Sequence, residues 1–355
     1  MELQKIQIHG FRNLHDAELD FAGDFNFVRG TNGAGKTNLL EAIFYVGLAS
    51  SFRTREERSL IRTECEYLRV SGETQNRRAA VYLDRQQKKL SLQENDVRRL
   101  SDFVGWLGIT VLSIDDIWLI RGSPARRRSF LDWVIAKISP RYCSTLLEYR
   151  KILRQRNRAL QSARETGDTR SLEAFDEQLI KTGNDIYRKR AAHIPHLRAY
   201  AQTVGNTMGL EKLDFQYEST CPDMHMDERV LDDVREKELM FGHTTVGPHR
   251  DDLAFSINGF PLRNYASEGE ERATAISLKL AEAEMLHSET GERPVLLLDE
   301  VTAELDEKRR DAVLRLLKGQ VFYASTQLPQ FARAHAHNGT VFSIERGHIE
   351  VSAAY

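Results

Sequence analysis

The chain has 355 residues, 41% hydrophobic and 29% charged, with 50 Lys plus Arg against 52 Asp plus Glu. That length fits one large core plus a second lobe, and the near balance of charge predicts no partner unless charge clusters locally. The opening MELQKIQIHGFRN has no apolar leader, no stretch approaches ~18 uncharged apolar residues, and Cys65, Cys143 and Cys221 form no Cys-x-x-Cys pair, so a signal peptide, a membrane span, a disulfide scaffold and a cysteine zinc site are all disfavoured and a reducing cytoplasm is expected.

The first hundred or so residues read as β-rich with one helix. Leu3, Ile6 and Ile8 start a short strand, and Phe25, Phe27 and Val28 form another that ends at Gly30. In TNLLEAIFYVGLA, Leu39, Leu40, Ile43 and Val46 recur at helical spacing. Segments 67–72, 78–84 and 88–92 read as short antiparallel strands, and ITVLSI (109–114) as a buried one. Ser123-Pro124 is a helix start. Beyond it, Leu146, Leu153 and Leu160 recur every seven residues, with Tyr142 and Tyr149 in phase, the spacing of helices packed lengthwise. ETGDTR (165–170) reads as a turn into a returning helix that Pro195 should kink or end. After residue 242 the α/β character returns, with a long helix from SEGEER, an apolar strand PVLLLDE, a helix DEKRRDAVLRLLKG and a strand QVFYAST. The expected organisation is a head built from 1–120 and 243–355, with a helical arm or lobe inserted at 121–242.

GTNGAGKT, residues 30 to 37, matches G-x-x-x-x-G-K-[ST] between a strand and a helix. Such a loop wraps phosphates with backbone N–H groups, and the helix start adds its positive end. Gly30, Thr31, Asn32, Gly33, Ala34, Gly35, Lys36, Thr37 and Asn38 are therefore candidate ATP contacts, with Lys36 on the β- and γ-phosphates and Thr37 on Mg²⁺. A P-loop ATPase also needs an acid at a second strand end. PVLLLDE offers Asp299 for the metal and Glu300 as general base toward water.

ASEGEER (266–272) lies just before a long helix, about where ATP-binding-cassette ATPases carry a Ser-x-Gly-x element that contacts ATP held by the opposite subunit. Ser267 and Gly269 are the matching positions, and AELD (303–306), with Asp306, matches the loop at the dimer seam. Ser267 with Glu270 also reads as a plain capping box, and both roles rest on the same free N–H groups. On this reading the missing half of the site is a second copy of the chain.

FRN (11–13), GTNGAGKTNLLEAI (30–43), SFRT (51–54), GSPARRRSFLD (122–132), YRKILRQRN (149–157), TTVGPHRDD (244–252), ASEGEER, LKLAE (278–282) and LLLDE with AELD run from end to end, and in them the sequence resembles the RecF family of bacterial recombinational-repair ATPases, related to SMC and Rad50 heads. The resemblance implies an α/β, P-loop ABC-type head of mixed sheet plus antiparallel β lobe, with an inserted helical arm. It implies an ATP-driven head-to-head dimer on double-stranded DNA and single/double-strand junctions, released by slow, DNA-stimulated hydrolysis. It also implies work with RecR and RecO in loading RecA, with ATP and Mg²⁺ as cofactors. The sequence departs from the family in three places. Glu268, Glu270 and Glu271 replace the usual glutamines of the signature element and would repel a triphosphate unless paired. Thr326 stands where many cassette ATPases have histidine, and it can bond a γ-phosphate without carrying charge. No coupling glutamine can be placed, and Asp115 or Asp116 stands near its position, where an N-cap is the other reading.

From Arg121 to Arg164 there are twelve basic residues against Asp132 and Glu148. Arg126, Arg127, Arg128, Arg150, Lys151, Arg154, Arg156 and Arg158 form a candidate DNA-backbone footprint, without base-reading motifs. A solvated face pairing with Glu173, Asp176 and Glu177 is the alternative. His249, Arg250, Asp251 and Asp252 read as a structural turn rather than a metal cluster. Arg12 either approaches the nucleotide or sits in a buried ion pair. The rival functions are a transporter ATPase subunit, which the heptad insert opposes, and an SMC-type structural ATPase, which needs hundreds of coiled-coil residues.

Overall fold

The structure, a computed structural model, describes residues 1–302, 305–327 and 339–353. Its strands in chain order are β1 (Lys5–His9), β2 (Ala17–Asp20), β3 (Phe25–Arg29), β4 (Tyr67–Glu73), β5 (Arg78–Asp84), β6 (Lys88–Leu92), β7 (Asn95–Val97), β8 (Ile109–Ser113), β9 (Leu213–Glu218), β10 (Asp252–Ile257), β11 (Phe260–Pro261), β12 (Val295–Asp299), β13 (Val321–Ser325), β14 (Thr340–Glu345) and β15 (His348–Ala353). The helices that matter below are α1 (Lys36–Leu48), α2 (Pro124–Ile138), α3 (Pro140–Thr166), α4 (Leu172–Thr207), α5 (Arg235–Phe241), α6 (Glu268–Thr290) and α7 (Glu307–Leu316). Contacts divide the chain into two compact units. One is Met1–Asp116 with Thr207–Gly209 and Ile276–Tyr355, and the other is Ile117–Asn206 with Leu210–Ala275.

The first unit holds two sheets. One is antiparallel, in the order β2-β1-β4-β5-β6-β7, and its alternating buried positions (Leu68, Val70 and Gly72 on β4) follow the pleat. The other is mixed, in the order β15-β14-β3-β13-β12-β8, with β14, β3, β13, β12 and β8 parallel and β15 antiparallel at the edge. Its central strands FNFVR, VLLLD and VFYAS are buried on both faces, which is why they read as continuous apolar runs. Register brings Asp299 opposite Ala324 and Ser113, and Ser325 opposite Arg29. The carboxyl ends of β3, β13 and β12 therefore come out together, where ligands of parallel sheets bind.

The second unit is organised by an antiparallel pair of long helices. Arg156 on α3 meets Asp176 on α4, Tyr149 lies against Gly183, and Tyr142 reaches Arg190, so contact partners run in opposite directions along the two helices. Helix α3 stops at Gly167, which takes φ 75° and caps it. Helix α4 does not end at Pro195 but continues to Thr207. A proline inside a helix costs roughly 3 kcal/mol. Here Leu197, Ala201 and Val204 are buried beyond it and Gly205 packs on Leu213, so tertiary packing outweighs that cost.

The TTVGPHRDD segment is the junction of this unit. Asp251 is buried and accepts from the Thr220 backbone and hydroxyl, both at 2.8 Å, and from the Tyr217 hydroxyl. Asp252 holds Arg127 by two bonds, and His249 Nδ1 sits 2.7 Å from the Tyr149 hydroxyl. Gly247 has φ 119°, and a Cβ there would lie 2.7 Å from that same hydroxyl. Among the described residues no group of His, Cys, Asp and Glu is arranged to hold a metal ion, and none of the helices is long and apolar enough to cross a membrane.

Candidate nucleotide-binding site

The loop of residues 30–35 leaves the end of β3 and starts α1. Its glycines are required by space and by backbone. A Cβ on Gly30 would lie 2.5 Å from the Ile344 carbonyl, while Gly33 and Gly35 take φ 79° and 123°. The loop folds back on itself through Ala34 N–H to the Thr31 carbonyl, and Asn13 Nδ2 donates to the Gly33 carbonyl at 3.3 Å. Helix α1 has no side-chain cap at Gly35 and no acid in its first turn, so its positive end is left for a ligand.

Lys36 is only 5% exposed. Its ammonium donates to the Gly30 and Thr31 carbonyls at 3.0 and 3.2 Å and pairs with Glu300 Oε1 at 3.1 Å. The Thr37 hydroxyl donates to Asp299 Oδ1 at 3.0 Å. Burial raises the Asp299 carboxyl above its ordinary range and Glu300 adds to this, while the Thr37 bond, Arg53 and Lys36 oppose it. Glu300 follows the strand with φ 54°, a left-handed conformation that is uncommon for a side chain of this size. Its N–H stays on the Ala324 carbonyl at 3.1 Å, so the turn is anchored to the sheet. The P-loop and the acidic strand end, 262 residues apart in sequence, are thus in direct contact.

Arg12 is in an ion pair. It donates from Nε and Nη2 to both oxygens of the fully buried Glu41, each at 3.0 Å. Glu41 is a residue the sequence reading missed. The signal was an acid set in the apolar run LLEAIF, which must be partnered when buried. Arg53 of the SFRT motif was also given no role. It donates to Asn38 Oδ1 at 2.7 Å and pairs with Glu41 at 3.3 Å, and it stands near enough to Asp299 to pull its carboxyl down. Asn38 donates in turn to Asn13. A polar network therefore braces the first turn of α1 from outside.

The first turn of α6 lies in the second unit. Ser267 is exposed. Its N–H and hydroxyl both donate to Glu270 Oε2, at 2.8 and 2.7 Å, and Glu270 N–H returns to the Ser267 hydroxyl at 3.4 Å. This is the capping box. Glu268 pairs with Arg272 at 2.8 Å, and Glu271 with Arg121 at 2.6 Å. Glu268 and Glu271 are thus paired with arginines, which offsets their repulsion toward an approaching phosphate, while Glu270 is held by the N–H and hydroxyl of Ser267. Gly269 is in the same turn, half-buried. Asp306 caps α7 by accepting from Arg309 N–H at 2.9 Å. Ala303 and Glu304 of AELD lie outside the described residues. Thr326 follows β13 and is exposed. Asp116 Oδ2 accepts from the preceding Ser113 N–H at 2.7 Å, so it does not cap the helix Trp118–Arg121, whose N-cap is Ile117 without a side-chain bond, and burial pushes its carboxyl up to about 6.

The basic run divides. Arg126, Arg150, Lys151, Arg154 and Arg158 are exposed, Arg150 also pairing with Asp132. Arg128 is half-buried and donates to the Asp251 carbonyl. Arg127 and Arg156 do not belong to any surface. Arg127 is buried on Asp252 and on the carbonyls of Leu119, Ile120 and Gly122. Arg156 is 0% exposed and bonds Asp176, Glu238 and Thr244. Both sit on apolar stripes of their helices, and two buried carboxylates compensate the desolvation of Arg156.

Comparison with known proteins extends this geometry. The family model described as the RecF/RecN/SMC N-terminal domain matches residues 2–349. A protein named DNA replication and repair protein RecF from Bacillus cytotoxicus is 35% identical over 366 residues, covering 96% of this chain and 98% of its own. The solved structure of the recombination mediator protein RecF with ATP in the RecFOR pathway superposes with a TM-score of 0.90 at 31% identity, covering 99% and 98%. An SMC head with an extended coiled coil, from Pyrococcus furiosus, shares the fold at TM-score 0.54 and 16% identity, covering 99% and 96%. The fold is the ABC-type ATPase head of these proteins, and the chain belongs to the RecF family.

Proposed function

We propose that this chain is an ATP-dependent recombination mediator of the bacterial cytoplasm: two copies close head to head on ATP, hold double-stranded DNA or a single/double-strand junction, and let go on slow, DNA-stimulated hydrolysis. RecR, with RecO and RecA beyond it, is the proposed protein partner. The observation that carries the reading is the pair of contacts at one sheet end, Lys36 to Glu300 and Thr37 to Asp299.

The donor set fits Mg²⁺: a hydroxyl and a carboxylate, 3.0 Å apart, give the few hard oxygens this ion takes from protein beside phosphate. When bound, Mg²⁺ would neutralise charge on the β- and γ-phosphate oxygens. The loop N–H groups and the open end of α1 take the phosphates. Lys36 then exchanges two loop carbonyls and Glu300 for phosphate oxygens. That exchange frees the Glu300 carboxylate, which orients a water toward the γ-phosphorus and accepts its proton. Ser267, Gly269 and Asp306 serve the nucleotide of the partner copy, Thr326 its own γ-phosphate. Arg12 acts by holding Glu41 and with it the start of α1.

The test is Glu300→Gln, which keeps shape and removes the base. Hydrolysis should fall ~10²–10⁴-fold. Light scattering with ATP should show a lasting dimer that binds duplex DNA more tightly than wild type. A variant that stays monomeric at every ATP and protein concentration overturns the dimer mechanism.

A further inference from the structure

We propose that Trp118, Phe260 and Tyr265 form an aromatic patch that seats on a second copy of this chain in the ATP-bound dimer. The proposal rests on the head-to-head reading above. The three side chains are 46%, 60% and 70% exposed. At roughly 200 Å² per aromatic side chain they leave ~350 Å² of apolar surface in water. That is the size of the largest patch a monomer ordinarily shows, and a large part of the ~800 Å² each partner buries in a stable interface.

The patch is built, not incidental. Phe260 follows the Asn258-Gly259 turn, whose φ angles of 53° and 81° are those of a tight two-residue hairpin joining β10 to β11. Its ring stands 5.6 Å from that of Tyr265. Tyr265 ends the short helix Leu262–Tyr265, which packs on the short helix Trp118–Arg121. Arg121, the last residue of that second helix, pairs with Glu271 at 2.6 Å and with Glu268 at 3.9 Å. The three aromatics therefore flank the first turn of α6, and Tyr265 lies two residues before Ser267. If Ser267 closes on a phosphate held by a partner, the partner's surface must cover its immediate neighbours. Glu268 and Glu271 of this turn are paired with arginines, so the approach meets an apolar patch beside partly compensated charge. Rigid aromatics lose little side-chain freedom on docking, which suits them as anchors.

Tryptophan reports on this directly. Trp106 is 4% exposed and Trp133 half-buried, so collisional quenching by acrylamide falls mainly on Trp118. The Glu300→Gln protein is titrated with ATP while scattering and quenching are followed together, with Glu300→Gln plus Trp118→Phe as the blank. The proposal expects the Trp118 signal to become protected at least twofold as the dimer forms. It also expects Phe260→Ser with Tyr265→Ser, in the Glu300→Gln background, to need at least tenfold more protein for half-dimerisation, with ATP affinity of the monomer unchanged. A dimer that forms while Trp118 stays equally accessible overturns the patch and leaves the proposed function intact. No dimer at all overturns the function reading and the patch with it. Protection of Trp118 by single-stranded DNA without ATP would also overturn it, because the aromatics would then be a base-stacking surface.

Discussion

Lys36 and Arg156 are both buried cations, and they do opposite things. Lys36 is held by two loop carbonyls and by Glu300, whose side chain keeps 32% of its surface in water. Arg156 is held by Asp176 and Glu238, which are 8% and 0% exposed, and by the Thr244 hydroxyl. The first set of partners can be exchanged for phosphate oxygens. The second cannot, because separating it leaves the fully buried Glu238 without a counter-charge, while Asp176 keeps only Arg235. A cation with replaceable partners at the mouth of a loop is available for binding, and a cation with irreplaceable ones is part of the core.

The largest effects should come from exchanging these two residues for an apolar side chain of similar length. Lys36→Met should lose ATP affinity by two orders of magnitude or more, measured by fluorescent-nucleotide titration, with a shift in thermal midpoint of a few degrees at most. Arg156→Met should lose about 3–5 kcal/mol of stability, since removing one partner of a buried set leaves uncompensated charge. Its surviving folded fraction should still bind ATP. If Arg156→Met melts like wild type, the distinction between the two cations fails.

Acid should separate the same two regions less strongly. Burial lowers the His249 imidazole to about 3, and Arg250, Arg128 and Arg156 add to this. The folded chain therefore keeps His249 neutral where the unfolded chain, near its ordinary 6.5, takes up a proton. Stability is complete above pH ~6.5 and falls as pH drops toward 3. The ring keeps part of its surface in water, so the loss by pH 5 is about 1–2 kcal/mol. Asp116 runs the other way. Its carboxyl, pushed up to about 6, makes the first unit gain as pH falls from 6 toward 4, by about 1–2 kcal/mol, an amount comparable to the His249 loss. Urea unfolding at pH 7 and pH 5 should show His249→Gln losing less on acidification than wild type. Equal losses would mean the imidazole is solvated in the folded chain.

What the sequence made legible follows from how local the constraints are. The phosphate loop is eight residues whose spacing is set by its own backbone, and the mixed sheet brings Asp299 to it because both end parallel strands that read as continuous apolar runs. Counting charges over Arg121–Arg164 was a weaker guide, because a count does not say which helix face a residue occupies. The pattern did say so. Tyr142, Tyr149, Arg156 and Ala163 are seven apart and all buried, so Arg156 stands at a core heptad position. Arg127 shares its stripe with Phe130, Leu131 and Val134. Pro195 does not end α4, one of the two outcomes its position predicts, for the complementary reason: the local penalty was legible, and the burial of Leu197, Ala201 and Val204 that outweighs it was not.

The exposed arginines give the smallest and most specific change. Arg154 and Arg158 lie on α3, four residues apart, and both are exposed while Arg156 between them is buried. Replacing both with alanine removes no buried partner, so stability should stay within ~0.5 kcal/mol of wild type. If these side chains touch DNA phosphates in the ATP-bound dimer, each releases about one counterion on binding. The slope of log affinity against log salt for duplex DNA should then flatten by ~2 in the double variant, with ATP binding unchanged. The slope discriminates where a single affinity does not. A misfolded arm lowers binding at every salt concentration, whereas loss of two phosphate contacts changes the dependence itself. An unchanged slope would move the DNA footprint off this face of α3, leaving its charge as a solvated helix surface.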